Sequence, residues 1–187
     1  MQAETLTGGF ADAPHDAAHA FRAIMEAMAR PGTIHRIAGA QPPAPLSVAA
    51  GAVLLTLCDP ETALHLAGSA DTGAVRDWVT FHCGAPLAGR GQAAFALGAW
   101  PALLPLGDYA IGTPEYPDRS ATLIVEVPVL EASGARLTGP GIATEAALSL
   151  PETAAFQANA RAFPLGLDFI FTCGDRLAAL PRSTRIG

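Results

Sequence analysis

The sequence predicts a layered α/β fold in which a mixed β-sheet is flanked by helices. Predicted strands and helices alternate along the first half of the chain, a pattern typical of such domains, and the last two strands flank a hairpin-like turn. Residues 121–127 form a nearly continuous apolar run, as expected for a strand that is covered on both faces. Because the chain has 187 residues, half of them hydrophobic, we expect one domain with a large core, preceded by a loose arm over residues 1–12.

The first helix is predicted over residues 14–29. Asp12 can cap it, Pro14 suits a first helical position, and the run Arg30-Pro31-Gly32 ends it because proline cannot continue a helix. Apolar residues at i, i+3, i+4 and i+7 predict its buried stripe. The stripe consists of Phe21, Ile24, Met25 and Met28.

The elements that follow are predicted from local composition. Residues 46–58 are apolar nearly all round, which predicts a helix buried on most sides. Asp71 or Thr72 can cap a helix that continues to His82, whereas residues 98–120 are rich in glycine and proline and predict a surface excursion. The other predicted elements are strands at residues 33–37, 63–67, 93–97, 136–138, 167–172 and 177–180, and a helix at residues 152–161.

Composition excludes several classes of protein. All 11 basic side chains are arginine, and without lysine the chain has neither the amine that forms a Schiff base with pyridoxal phosphate nor a P-loop lysine. The net charge of −6 argues against a nucleic-acid-binding domain. Only 15% of the residues are charged, which indicates either a surface covered by a partner or simply an alanine-rich composition.

The sequence also predicts a cytoplasmic protein that is not in a membrane. Its longest apolar runs, such as residues 48–58, are much shorter than the roughly 20 residues needed to span a bilayer. The first four residues lack the positive charge of a signal peptide. Three widely spaced cysteines favour reduced thiols over a disulfide framework.

A polar stripe on the first helix is one candidate site. His15, His19, Arg22 and Glu26 are spaced i, i+4, i+7 and i+11. The stripe could hold a phosphate or line a subunit interface. It could equally be a solvated face on which Arg22 and Glu26 form an i, i+4 ion pair.

A glycine turn and the C-terminal residues complete a candidate anion site. Gly139-Pro140-Gly141 follows a strand, so its N–H groups could cradle an anion, or it could be a turn between two layers. Residues 181–185 carry two arginines and two hydroxyls, which suit a phosphate, although a solvated tail would look the same. The candidate ligand-binding residues are Arg22, Arg136, Thr138, Gly139 and Arg182.

Other catalytic and metal-binding motifs are missing from the sequence. We find no C-x-x-C or H-E-x-x-H spacing and no G-x-S-x-G turn. Cys58, Cys83 and Cys173 are predicted to be inert core residues, although a stand-alone cysteine enzyme stays an alternative that thiol reactivity would test. We therefore predict no metal and no cofactor, and we assign no catalytic residue.

Several short motifs, in order along the chain, resemble the PhnH family, a subunit of the bacterial carbon–phosphorus lyase system that degrades phosphonates. The motifs span residues 19–184, and together they are far more specific than any one of them. They are His19-Ala20-Phe21-Arg22 followed by Met28 and Pro31-Gly32, Phe81-His82 followed by Ala85-Pro86-Leu87, residues 136–142, Phe163-Pro164-Leu165-Gly166-Leu167-Asp168, residues 172–177 and Pro181-Arg182-Ser183-Thr184.

The resemblance implies a fold like that of pyridoxal-phosphate-dependent transferases without the cofactor. It also implies a homodimer when the chain is isolated, and a core complex with the G, I and J subunits. That complex supports the ATP-dependent formation of ribose 1-phosphonate 5-triphosphate. On this basis we expect an accessory or structural subunit; the alternative is a subunit that binds a phosphorylated ligand or a phosphonate at its own arginine and glycine-turn site.

Overall fold

Two β-sheets are formed within residues 7–187, the part of the chain that the computed structural model describes. The strands are β1 (His35–Arg36), β2 (Leu64–Leu66), β3 (Phe95–Ala99), β4 (Thr122–Glu126), β5 (Ala135–Thr138), β6 (Ala146–Leu148), β7 (Asp168–Cys173), β8 (Arg176–Leu180) and β9 (Arg185–Ile186). The larger sheet has the order β1-β8-β7-β4-β3-β2. Strands β2, β3, β4 and β7 are parallel, whereas β8 and β1 run antiparallel to their neighbours, so the predicted mixed sheet is confirmed.

Helices cover both faces of this sheet. They are α1 (Ala13–Ala29), α2 (Val48–Leu57), α3 (Gly73–His82), the short α4 (Trp100–Leu103) and α5 (Ala154–Arg161). Alternate residues of the central strands point to opposite faces and enter two separate cores. Ile124 and Ile170 pack with α1, α2 and α3, while Val125 and Phe171 pack with α4 and α5. The layered arrangement of helices around a sheet is therefore also confirmed.

The α3 helix begins after Thr72, one of the two predicted caps, whereas α2 begins two residues after its predicted start. Ser47 caps α2, its hydroxyl accepting a hydrogen bond from the Ala50 N–H at 3.1 Å, and Thr72 caps α3 in the same way through the Val75 N–H at 3.2 Å. Six consecutive residues of α2, from 49 to 54, are buried, as the apolar run predicted. Both helices thus have their positions fixed at the first turn.

A second sheet of three strands, in the order β6-β5-β9, was not predicted as a sheet. Only β5 was identified from the sequence. Strands β6 and β9 have three and two residues, too short to show an alternating pattern. This sheet joins the residues after the glycine turn to the C-terminal residues, and so it assembles the region where the candidate anion site was placed.

The predicted buried stripe of α1 is wrong in part. Phe21 and Met25 are about half exposed, while Ala20, Ile24 and Ala27 form the buried face. The helix packs against α2, a helix rich in alanine, and small side chains fit such a close contact better than large ones. Phe21 and Met25 therefore face outward, whereas Ile24 is buried as predicted.

Residues 98–120 do not form a purely superficial excursion. Trp100, Leu103 and Tyr109 are buried and pack into the core that contains Val125 and Phe171. The Trp100 indole N–H also donates a 2.8 Å hydrogen bond to Glu152. Glycine and proline identified this segment as irregular, but its apolar anchors hold it against the sheet.

Residues 7–10 of the predicted loose arm are held against the domain, whereas residues 1–6 lie outside the described part. The Thr7 carbonyl accepts hydrogen bonds from the Trp78 indole at 3.2 Å and from His82 Nε2 at 3.1 Å. The Gly8 carbonyl accepts one from the Gln41 N–H at 2.8 Å. Among residues 7–187, no helix has the length and apolar character needed to cross a membrane.

Candidate functional site

The glycine turn, residues 139–141, packs between α1 and the C-terminal segment, residues 181–185. Gly139 and Gly141 both have positive φ angles, of +131° and +80°. A Cβ atom on Gly141 would lie 1.9 Å from the Ala29 carbonyl oxygen, and one on Gly139 would lie 3.1 Å from the Ser183 carbonyl oxygen. The close approach of these backbones accounts for both glycines without a ligand.

Arg136 and Thr138 lie on the outer face of the small sheet. Because they are two residues apart on β5, their side chains share a face, opposite the buried Leu137. Thr138 is paired with Arg185 of β9, which adds a second arginine to the same face. Arg136 is exposed, and its Nε lies 3.6 Å from a Glu145 carboxylate oxygen. The structure thus brings together three of the five predicted residues, Arg136, Thr138 and Gly139, and adds Arg185, which sequence reasoning left out of the set.

Arg182 is occupied by internal contacts. Its side chain is only 14% exposed and forms an ion pair with Asp168, whose carboxylate also accepts the Arg182 backbone N–H at 2.8 Å. Its Nη1 donates to the Pro117 carbonyl oxygen at 2.6 Å, and its Nη2 donates to the Ser120 hydroxyl. A guanidinium with these partners has little left to offer an anion. Residues 181–185 are accordingly a packed segment and not a solvated tail.

Arg22 lies apart from the other candidates. It is exposed on α1, seven residues before Ala29, which places it about 10 Å along the helix from the glycine turn. The predicted ion pair with Glu26 is not formed, because Glu26 pairs with Arg30 at 3.6 Å. Within residues 7–187, Arg22 has no ion-pair partner.

Sequence reasoning missed Glu126, which lies at the carboxyl end of β4. In open α/β sheets, ligands bind at the carboxyl ends of parallel strands, and helix N-termini favour anions. Here the Glu126 carboxylate fills that position: it accepts the Ser47 N–H at the start of α2 at 2.7 Å and the buried Thr172 hydroxyl at 3.0 Å. A glutamate that ends the apolar run 121–125 is the signal that could have identified it.

A cluster of polar side chains, Asp71, Arg76 and His65, lies around the edge strand β2. Asp71 accepts two hydrogen bonds from Arg76, at 2.5 and 2.8 Å, and these bonds lower the pKa of its carboxyl group. His65 Nδ1 lies 3.1 Å from the Ala88 carbonyl oxygen, and the His65 ring meets the buried Tyr109 edge-on. These charges are balanced among themselves, so the group has no excess charge with which to attract an ionic ligand.

Cys58 and Cys83 are buried, as the sequence predicts for inert core residues, whereas the same prediction is wrong for Cys173. Burial raises the pKa of Cys83 to about 12 and raises the pKa of Cys58 even further, with neighbouring Cys83 and Asp59 adding to the latter shift. Both thiols therefore stay protonated at neutral pH. Cys173 is half-buried and donates a 3.5 Å hydrogen bond to the Pro128 carbonyl oxygen.

An apolar groove of about 450 Å³ lies between α5 and residues 104–111. Ala155 and Ala158 of α5 line one side, together with Ala162 directly after the helix. Leu104 and Ile111 line the opposite side and are partly exposed. Large apolar side chains thus reach the surface here as well as on α1.

Comparison with known proteins shows that this α/β chain belongs to a class of bacterial phosphonate metabolism proteins. A family model described as "Bacterial phosphonate metabolism protein (PhnH)" matches residues 8–187. The chain belongs to the PhnH family, which confirms the resemblance found in its motifs.

Two curated relatives carry related names. The chain is 39% identical, over 99% of its length and 97% of the relative's, to the alpha-D-ribose 1-methylphosphonate 5-triphosphate synthase subunit PhnH of Rhizobium meliloti strain 1021. It is 35% identical, over 41% of its length and 42% of the relative's, to the putative C-P lyase subunit protein HtxG of Stutzerimonas stutzeri. Both relatives are named as subunits.

Proposed function

We propose that this chain is a subunit of a bacterial carbon–phosphorus lyase core complex that supports ATP-dependent formation of ribose 1-phosphonate 5-triphosphate. The observation that carries the proposal is the match, over nearly the full length of both chains, to a relative named as a subunit of the corresponding synthase. The family assignment agrees with it.

The accessory role is supported by the state of the candidate sites. Arg182 forms an ion pair with Asp168, and the Glu126 side chain occupies the carboxyl end of β4. The two most buried cysteines have raised pKa values, which is unsuited to nucleophilic catalysis at neutral pH. Large apolar side chains are exposed on α1 and around the α5 groove, as a subunit with covered surfaces would show.

The proposal includes the partners and the location expected from the family. We take the partners to be the G, I and J subunits, with a homodimer in their absence, in the cytoplasm. We further propose that residues 1–187 act as one PhnH-like domain whose fold is related to pyridoxal-phosphate-dependent transferases without the cofactor. The absence of lysine supports the last point, because the internal aldimine of those enzymes requires one.

Co-expression with the G, I and J subunits of the same organism tests the proposal. We expect one complex of fixed stoichiometry in size-exclusion chromatography with mass determination, and loss of phosphonate ribosylation when this chain is left out. A chain that elutes alone at every ratio of subunits would contradict the proposal.

A phosphorylated ligand is the second candidate function. The observation that favours it is the outer face of the small sheet, where Arg136, Thr138 and Arg185 lie together. A thermal-shift titration of the isolated chain with ATP and methylphosphonate tests it, since ligand at 100 times Kd adds about 2.7 kcal/mol of stability. An Arg136→Gln, Arg185→Gln variant should lose the shift, and Arg161→Gln on α5 serves as the control. An unchanged melting temperature with every ligand would exclude a site that is complete in the isolated chain.

A further inference from the structure

We propose that the outer face of α1, formed by Ala18, Phe21, Arg22 and Met25, is the surface on which another subunit of the phosphonate system docks, and that this subunit contributes apolar groups around a carboxylate. The inference rests on the proposed function and assigns it a surface.

The α1 helix has two apolar faces. Its inner face, with Ala20, Ile24 and Ala27, is at most 4% exposed and packs in the core. On the outer face, Phe21 and Met25 are 48% and 50% exposed and lie one turn apart, so that they form one patch. A solvent-facing helix side normally carries polar residues at these positions.

Arg22 gives the patch its charge. It is adjacent to Phe21, and within residues 7–187 it has no ion-pair partner because Glu26 is paired with Arg30. Between Asp16 and Glu26 the helix carries no acidic residue, so this part of α1 is locally basic on a chain whose net charge is −6. A complementary surface therefore carries an acidic group.

The composition of the patch is that of an interface centre. Aromatic residues, methionine and arginine are enriched at protein–protein interfaces, and arginine and aromatic residues dominate their binding energy. The 17-residue helix is about 25 Å long, which is enough to present such a centre together with a rim. His15 and His19 lie on the exposed side of α1 toward its N-terminus and supply polar groups for the rim.

A second copy of this chain fits less well than a different subunit. The two carboxylates of α1 already have partners: Glu26 pairs with Arg30 at 3.6 Å, and Asp16 accepts the Asp12 N–H at 3.0 Å. The α1 helix of a second copy therefore has only these two occupied carboxylates to present to Arg22. The α5 groove is lined by apolar and uncharged residues and offers no charge that would select a partner. Arg22 is what makes the α1 face specific.

The test uses the full complex, formed by co-expression, with two variants of the outer face: Arg22→Glu, and the double variant Phe21→Ser, Met25→Ser. The matched controls are Arg161→Glu, another exposed arginine without an ion pair in the described residues, and Phe81→Ser, another half-exposed phenylalanine. Affinity of each chain for the preformed G, I and J complex is measured by biolayer interferometry, and folding is checked by thermal melting.

We expect both outer-face variants to weaken binding about tenfold or more, with controls within about twofold and melting temperatures unchanged. Equal affinity of all variants, with wild type bound, would overturn the α1 assignment while leaving the proposed function intact. A wild-type chain that does not bind would overturn the proposed function itself. If the variants instead abolish a homodimer and leave the mixed complex unchanged, the occupant is a second copy and the proposal is wrong.

Discussion

Single residues decide which of the chemically attractive groups are available. Arginine in a short sequence motif predicts anion binding, yet Arg22, Arg136 and Arg182 have three different environments. Arg182 is enclosed by Asp168 and the 117–120 loop, Arg136 is exposed beside Glu145, and Arg22 is exposed without an ion pair within residues 7–187. The sequence shows the residue type, whereas burial and partners follow only from the fold.

Replacing Arg182 should cost more stability than replacing Arg136. Arg182→Ala leaves the largely buried Asp168 carboxylate without its cation, and we expect a loss of about 3 kcal/mol in the free energy of unfolding. Arg136→Ala removes an exposed pair, which is worth less than about 1 kcal/mol. Urea denaturation followed by circular dichroism measures both. Similar losses for the two variants would show that the Arg182–Asp168 pair is not a structural contact of this strength.

The thiols should differ in reactivity. A raised pKa keeps the Cys58 and Cys83 thiols protonated, and their burial limits access, so Cys173 should be alkylated first at pH 7.5. Iodoacetamide labelling of the native protein followed by peptide mass spectrometry measures the order, and labelling in urea is the control. Rapid labelling of Cys58 or Cys83 in the native state would contradict this prediction and would favour the alternative that the chain is a cysteine enzyme.

At the scale of elements, the sequence predicts existence well and orientation less well. The helices at 14–29, 46–58 and 152–161 are present, as are the strands of the large sheet, because the local patterns of apolar and polar residues that predict them act over short stretches of chain. The buried face of α1 was predicted wrongly because hydrophobicity ranks Phe21 and Met25 above Ala20 and Ala27. What decides the face is the room that α2 leaves, and this is a tertiary property.

The glycine turn was recognised as a turn, but its neighbours could not be read from the sequence. Its contacts come from α1, more than 100 residues earlier, and from the C-terminal segment about 40 residues later. For the same reason only Arg136, Thr138 and Gly139 of the predicted anion site lie together. These three residues are neighbours in the chain and so lie together in any fold. Arg22 is more than 100 residues away, and its distance from them depends on the tertiary structure.

Gly141→Ala tests the packing of this turn. An alanine there would need a positive φ angle and would bring its Cβ atom into the Ala29 carbonyl group, so we expect a loss of about 2 kcal/mol or more in the free energy of unfolding. Gly89→Ala is the matched control, because its φ is −73° and no atom of residues 7–187 lies within 4 Å of the added Cβ. Thermal melting compares the two, and equal melting temperatures would contradict the contact between the turn and α1.

At the scale of the whole molecule, the two strands of the large sheet that come last in the sequence lie in its interior. β7 and β8 are inserted between β4 and β1. The turn between them accepts backbone hydrogen bonds at 2.9 Å from Ile37, through Asp175, and from Ala49 of α2, through Gly174. The N-terminal third of the domain is therefore completed by residues that follow it by well over 100 positions.

A chain that ends after residue 166 should fail to fold. It keeps α1, α2, α3 and most of the sheet but loses β7 and β8, which bury both cores against β4. We expect no cooperative thermal transition and rapid cleavage by trypsin at arginines that are protected in the full chain. A truncated chain with a sharp transition would show that the first four strands of the sheet form a stable unit by themselves.

Because β7 and β8 come late in the chain, helices that pack against them are synthesised well before these strands. A ribosome adds about 5–20 residues per second, so the apolar α2 helix emerges on the order of ten seconds before the strand it packs against exists. Through that interval a segment made almost entirely of alanine, valine and leucine is open to self-association or to capture by chaperones. Yield in the cell should thus depend on translation speed and on chaperone supply more than the equilibrium stability of the finished protein would suggest.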